Sequence, residues 1–185
     1  MSRQLGAGQT SVAPAVAAAL GWKVVDHEIL DRQVQDLGTT LPYVTHHDER
    51  APGLMASWSH PQEATRYFQS LEKIMGEYAD GGNVILVGRG ANFFLKFFDA
   101  LHVRLVADMA YRIKRVMEVR WVNAGPAKDI IAQSDQDRAA FFRYFFQTEW
   151  SDPLNFHVVL NTSRLGIEAV TAAIVSVARQ RWSDA

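Results

Sequence analysis

Residues 3–11, Arg3-Gln4-Leu5-Gly6-Ala7-Gly8-Gln9-Thr10-Ser11, place glycines and hydroxyls directly ahead of an alanine-rich stretch, Val12 to Leu20. That order suits phosphate. Small residues let successive backbone N–H groups turn inward onto anionic oxygens, and the helix N-terminus behind them adds the positive end of its dipole. On this reading Gly6, Ala7, Gly8, Gln9, Thr10 and Ser11 hold phosphate, and the hydroxyls of Thr10 and Ser11 are the metal-ligating candidates. A loop that transfers phosphate also carries a lysine for the outer phosphates. Gln9 stands at that position, and Arg3 stands where the first glycine belongs. A tight turn capping an alanine-rich helix explains the same residues equally well. Pro14 adds a constraint, because a proline inside a helix removes a hydrogen bond and crowds the preceding turn. Either the helix begins late, near Ser11, or it starts near Gln9 and is kinked.

Arginine is the second theme. Arg112 and Arg115 lie one turn apart on a predicted helix with Lys114 beside them, and Arg138 and Arg143 lie on the next helix. A guanidinium offers two parallel charge-assisted bonds to a phosphate, so arginines from two helices could close over a polyphosphate. The competing reading is a solvated face paired with Glu118, Asp135 and Asp137. His46-His47-Asp48-Glu49 reads as a surface cluster, since adjacent residues rarely converge on one ion. The aromatic run Phe141, Phe142, Tyr144, Phe145, Phe146 and Trp150 suits a core or an oligomer interface better than base stacking.

These residues need elements to position them. Trp22 to Val25 reads as a strand ending in Asp26, and His27 to Leu37 has helical periodicity. Residues 38–60 lack apolar periodicity and read as an irregular segment, less ordered than the rest. A helix follows to Gly81-Gly82. Asn83 to Val87 is a continuous apolar run of the kind that forms a buried parallel strand. Gly88-Arg89-Gly90 breaks it. Leu101 to Val106 is the next strand, with Asp108 capping a helix behind it, and Gly125-Pro126 separates that helix from another reaching toward Trp150. Phe156 to Leu160 is the last strand and Gly166 to Trp182 the last helix. Strands alternating with helices argue for an α/β fold, a parallel sheet with helices on both faces. Ligands in such sheets sit at the carboxyl ends of the strands. The glycine loop, Asp26, Gly88-Arg89 and Asn161-Thr162 all fall at such ends.

Five stretches, in order, resemble the cytidylate kinase-like family, a branch beside true cytidylate kinases within the P-loop nucleoside-monophosphate kinases. They are Ser2 to Gly8, Asp26 to Leu30, Gly88 to Ala91, Asp135 to Tyr144 and Asn161 to Gly166. The resemblance implies a three-layer α/β fold, with ATP and Mg²⁺ on the glycine loop and a pyrimidine monophosphate, CMP most plausibly, across the cleft. By position it makes Asp26 and Arg89 contacts to the nucleoside monophosphate, and Arg112, Arg115, Arg138 and Arg143 catalytic lid or phosphate contacts, with the lid spanning about residues 112–143. The chain departs from true cytidylate kinases at Gln9, where they have lysine, and at Val87 and Gly90, where they have acids. Phosphoryl transfer depends on such charges, so two readings stand: a kinase acting on CMP, or a degenerate binding or scaffolding protein on the same fold. The family also places a hydrophobic strand ahead of the loop, at the sheet centre, where this chain offers only Met1 to Leu5. That strand is stunted, or its start lies upstream.

The 185 residues suit a single domain, and a formal net charge of −1 gives no general attraction to nucleic acid or anionic membrane. The absence of cysteine excludes disulfides and thiolate chemistry. No apolar run reaches membrane-spanning length. The expected protein is cytoplasmic, with a nucleotide or phosphate ligand and a homo-oligomer through its aromatic helix surfaces as a further expectation.

Overall fold

A computed structural model describes residues 1–26, 29, 32 and 61–182. Its elements, in chain order, are β1 (Ser2–Arg3), α1 (Gln9–Leu20), β2 (Lys23–Val25), α2 (Pro61–Gly81), β3 (Val84–Leu86), α3 (Ala91–Phe94), β4 (Val103–Val106), α4 (Met109–Arg120), α5 (Ala124–Phe146), β5 (Val158–Asn161) and α6 (Thr162–Arg181). Each of the four predicted strand runs overlaps an observed strand, the last of which, β5, runs one residue past its predicted end to Asn161. The irregular segment expected at 38–60, with its histidine cluster, lies outside the described residues.

All strand pairings are parallel: β1 with β4, β4 with β5, and β2 with β3. The two groups of strands meet at Met1. Its amino group donates to the Leu86 carbonyl at 2.6 Å, and the Gly88 N–H donates to the Met1 carbonyl at 3.0 Å. Those two bonds make one parallel rung, so the strand order across the sheet is β2-β3-β1-β4-β5.

Period-two alternation divides the core into two layers. Ile85, Val87, Val103 and Leu105 turn to one face, where they pack against Val12, Ala13 and Val16 of α1 and Val170 and Ile174 of α6. Val25 and Leu86 turn to the other, against Tyr67, Leu71, Ile74 and Met75 of α2 and Phe141 and Phe142 of α5. Helices therefore cover both faces, as expected. The aromatic run of α5 goes largely into this second layer. Phe145 and Phe146 ring the side chain of Phe68 at centroid distances of 4.3 and 6.0 Å, and Phe146 stacks on Phe93 at 4.4 Å.

Three boundaries differ from the sequence reading. The last helix takes its first turn at Thr162, where the Asn161 carboxamide oxygen accepts from the N–H groups of Ser163 and Arg164. Gly166, expected as its start, is a break inside it, with φ 79° and ψ 163°. Pro126 does not separate two helices but sits in the first turn of α5, where its missing N–H costs nothing. The helix-ending residue is instead Trp121, in left-handed conformation after Arg120.

Candidate phosphate-binding site

Because every pairing is parallel, the carboxyl ends of the five strands share one edge of the sheet. The glycine loop leaves β1 there, Asp26 leaves β2, Gly88-Arg89 leaves β3, Asp108 follows β4 and Thr162 follows β5. The Val87 N–H donates to the Val25 carbonyl at 3.0 Å, which sets the ends of β2 and β3 side by side.

The glycine loop is fastened at three points. The Gln4 side-chain oxygen accepts from the Ala107 N–H at 3.0 Å. The Arg112 Nε donates to the Leu5 carbonyl at 2.7 Å. The Thr162 hydroxyl donates to the Ala7 carbonyl at 2.9 Å. Its two glycines are required by geometry. Gly6 has φ +81°, and a Cβ there would lie 2.8 Å from the Arg112 carbonyl oxygen. Gly8 has φ +83°, and a Cβ there would lie 2.7 Å from Ile167 Cδ1. The Leu5 and Ala7 carbonyls are thus held from behind, at the carboxyl edge of the sheet.

Gly8 caps α1, whose first residue is Gln9. Of the two sequence alternatives, the early start is the one adopted, and Pro14 lies inside the helix. The carbonyl that Pro14 cannot serve belongs to Thr10, and both residues are exposed. Water can therefore supply the missing bond. The Ser11 and Val12 N–H groups both turn back to the Gly8 carbonyl at 3.0 Å. Those of Gln9 and Thr10, in the opening turn, have no acceptor within the helix.

The four arginines divide into two kinds. Arg112 is 2% exposed, and its guanidinium is fully engaged: Nε on Leu5, and the two terminal nitrogens on both Asp135 oxygens at 2.8 and 2.7 Å. Arg138 is buried in α5, donating to the Ser134 hydroxyl, with its guanidinium 5.8 Å from the Trp150 ring. Arg115 and Arg143 face water, paired with Glu118 and Glu149 at 3.0 Å. Exposed pairs of this kind are worth little and exchange partners readily.

Arg89 is 7% exposed and has φ +58°, between Gly88 at +72° and Gly90 at +70°. Three successive left-handed residues are costly for the middle side chain, by roughly 1–2 kcal/mol. Strain held at a strand end is a mark of a functional position. Val87 is a core residue, and Gly90 lies under the Phe146 ring, which a Cβ would approach to 3.1 Å. Neither position has room for the acids that true cytidylate kinases carry.

Sequence reasoning missed several residues at this edge and in the strand behind it. Tyr111 has its hydroxyl 3.8 Å from where a Gly8 Cβ would stand. Asp108, expected as a helix cap, makes no capping bond through its side chain. Its carboxylate pairs instead with Arg164 at 2.9 Å, and its N–H donates to the Ser163 hydroxyl at 3.0 Å. Together these contacts latch the turn after β4 to the turn after β5. Arg104, 2% exposed in mid-strand, donates to the Trp150 carbonyl at 2.6 Å and lies 4.2 Å from its ring. A lone arginine inside the apolar run Val103 to Val106 was the available signal.

The donor set fits phosphate oxygens, since the loop offers backbone N–H groups where any Cβ would intrude. For a divalent cation the protein offers the Thr10 and Ser11 hydroxyls. Among the described residues no cluster of three or more histidine, aspartate or glutamate side chains could hold a metal. A cation there would rest mainly on phosphate oxygens and water.

A sequence profile described as the cytidylate kinase-like family matches residues 1–164. No curated protein matches the chain. Among solved structures, an uncharacterized protein from Eubacterium ventriosum superposes with a TM-score of 0.73 at 17% identity, covering 95% of this chain and 94% of that one. Shikimate kinase from Bacteroides thetaiotaomicron superposes with a TM-score of 0.57 at 16% identity, covering 96% and 95%. Shikimate kinase from Acinetobacter baumannii, in complex with shikimate, gives 0.53 at 16% identity, covering 97% and 90%. These likenesses establish a P-loop kinase fold.

Proposed function

The chain belongs to the cytidylate kinase-like family, and from that premise we propose that it binds a nucleotide by its phosphates at the Gly6 to Ser11 loop, with attenuated phosphoryl transfer. The observation that carries this reading is the triple fastening of the loop by Gln4, Arg112 and Thr162. A preorganised backbone cradle binds phosphate without reorganising. It does not by itself neutralise the charge that develops as a phosphoryl group moves.

In this reading the N–H groups at the start of α1 hold the phosphates, and the Thr10 and Ser11 hydroxyls support a cation there. ATP with magnesium is the group the family implies, and the chemistry it supplies is a transferable γ-phosphoryl. Arg89 and Asp26, at adjoining strand ends, place the acceptor monophosphate, CMP in the first instance. Gln9 is neutral where a point charge is needed. Arg112 is committed to Leu5 and Asp135, so it positions the loop rather than touching phosphate. The segment 112–143 serves as the lid, with Arg138 as an internal brace.

A second reading, a competent kinase without the lysine, is favoured by the exposed pairs of Arg115 and Arg143. Either guanidinium can leave its partner at small cost and swing to a phosphate. A binding titration with ATP and CMP, with and without magnesium, followed by a coupled ADP-release assay, separates the two. Saturable magnesium-dependent ATP binding with turnover well below the usual enzyme range of about 1–1,000 per second supports the first reading. Turnover within that range, abolished by Arg115→Ala or Arg143→Ala, supports the second. Absence of any nucleotide binding overturns both.

A further inference from the structure

α1 carries no charged residue along its whole length, Gln9–Leu20. Its exposed positions are Thr10, Pro14, Ala18 and Ala19. A helix that faces water ordinarily sets charged and polar residues opposite its core stripe, and here only Thr10 is polar. α6 runs beside α1 in the same direction. Ile167 lies against Gly8 at one end, and the Ala19 carbonyl accepts from Arg179 at 3.1 Å at the other. A groove of about 370 Å³ follows the seam between the two helices. It is lined by Ala15 and Ala19 of α1 and by Glu168, Ala172, Val175 and Arg179 of α6.

The four α6 residues lie beyond the break at Gly166, in regular helix. Their spacing is four, three, four, which keeps them on one narrow line of the helix surface. That spacing reads the same in both directions, while the charges at its two ends are opposite. An antiparallel copy of the same line therefore matches it. Glu168 falls level with Arg179 of the second copy, Ala172 with Val175, and each match occurs twice, as a two-fold axis requires. A parallel copy would set Glu168 against Glu168 and Arg179 against Arg179, and like charges reject it. Glu168 is exposed and makes no ion pair among the described residues. Arg179 gives one nitrogen to Ala19, and its fork of five N–H donors has others for a carboxylate.

We propose that the outer α1–α6 face is a self-association surface: it takes a second copy of this chain, with the two α6 helices antiparallel about a two-fold axis level with the midpoint of Ala172 and Val175. The small side chains of Ala15, Ala19 and Ala172 let the helices approach closely. The charged ends fix the register. The face is set by the length of α1 at roughly 18 Å and by the width of two helices at roughly 20 Å. That size makes the dimer a weak, reversible one. The antiparallel arrangement puts the two glycine loops at opposite ends of the seam, since each α1 runs with its own α6.

The test is sedimentation equilibrium of the full chain from micromolar to millimolar concentration, with Glu168→Arg and Arg179→Glu as variants and circular dichroism to confirm that each folds. The parent is expected to dimerise reversibly. Each single variant sets like charges level with each other at both ends of the seam, and its self-association should weaken tenfold or more. Mixing the two variants in equal amounts makes both ends complementary again, so the mixture should dimerise at least as tightly as the parent. Glu168→Arg alone carries the test if Arg179→Glu does not fold, through the same weakening and its recovery in the double reversal. A parent that stays monomeric at every concentration overturns the proposal and leaves the face to another occupant. A dimer that neither reversal weakens, or a weakening that neither the mixture nor the double reversal restores, also overturns it.

Discussion

Arg112 and Asp135 form a two-pronged ion pair, at 2.8 and 2.7 Å, that joins α4 to α5 directly behind the glycine loop. The same guanidinium holds the Leu5 carbonyl, so one side chain couples the loop to both helices. Breaking a buried pair by removing one partner leaves an uncompensated charge. Arg112→Ala is expected to destabilise the fold by about 3 kcal/mol, the low end of the usual range because Asp135 is partly exposed. Arg112→Lys should recover little of this, having no planar fork. Urea unfolding checks both. Unchanged stability with lost nucleotide binding would move Arg112 from positioning the loop to touching the ligand.

Gly6→Ala is expected to lose both stability and phosphate binding. The new Cβ meets the Arg112 carbonyl oxygen at 2.8 Å, on a backbone at φ +81°. The conformational cost alone is roughly 1–2 kcal/mol, and the close contact adds to it. Thermal midpoints and ATP titration on the same sample measure the two effects. A variant as stable as the parent would mean that α4 yields easily.

Arg89→Gly should weaken monophosphate binding at least tenfold while changing stability by less than about 1 kcal/mol. The lost contacts are offset by release of a left-handed arginine, which glycine tolerates freely. Titration with CMP, paired with denaturant midpoints, gives the answer. A large stability loss with unaltered binding would assign Arg89 to the scaffold.

Gln9→Lys is expected to raise phosphoryl transfer by roughly two to three orders of magnitude, the scale of one charged or hydrogen-bonding stabiliser at a transition state. The ADP-release assay measures it with Mg-ATP and CMP. No gain would place the deficit elsewhere, with Val87 and Gly90 the first suspects.

Stability is expected to fall with acid through His102. Burial first, and then the unfavourable interaction of its charged form with the adjacent His157, holds its pKa down to about 4, against 6.5 for a free imidazole. The two rings stack at 4.9 Å, and the His102 main-chain N–H donates to His157 Nδ1. The folded state thus resists a proton that the unfolded state accepts. This contribution is intact above pH 6.5, is lost progressively as pH falls toward 4, and is flat below. His102→Phe should flatten the stability profile across that window. An unchanged profile would mean that other groups govern acid unfolding.

The sequence alone determined the order of elements and the edge on which the chemistry gathers. Apolar runs at 83–87 and 101–106, separated by helical periods, allow little but a parallel sheet, and a parallel sheet puts the carboxyl ends of all its strands on one side. It also determined which charges are missing, because Gln9, Val87 and Gly90 are facts of identity. What the arginines do was decided only by tertiary structure. Arg112 and Arg115 are one turn apart and alike in sequence, yet one is enclosed against Asp135 and Leu5 while the other faces water beside Glu118. Helical spacing records which face a residue shares and not what packs upon it. The latch between Asp108 and Arg164 joins residues 56 positions apart in the numbering of the chain. Such a contact exists because β4 and β5 pair in register, with Val106 opposite Asn161. That register comes from the fit of whole strands and helices, and no local spacing encodes it.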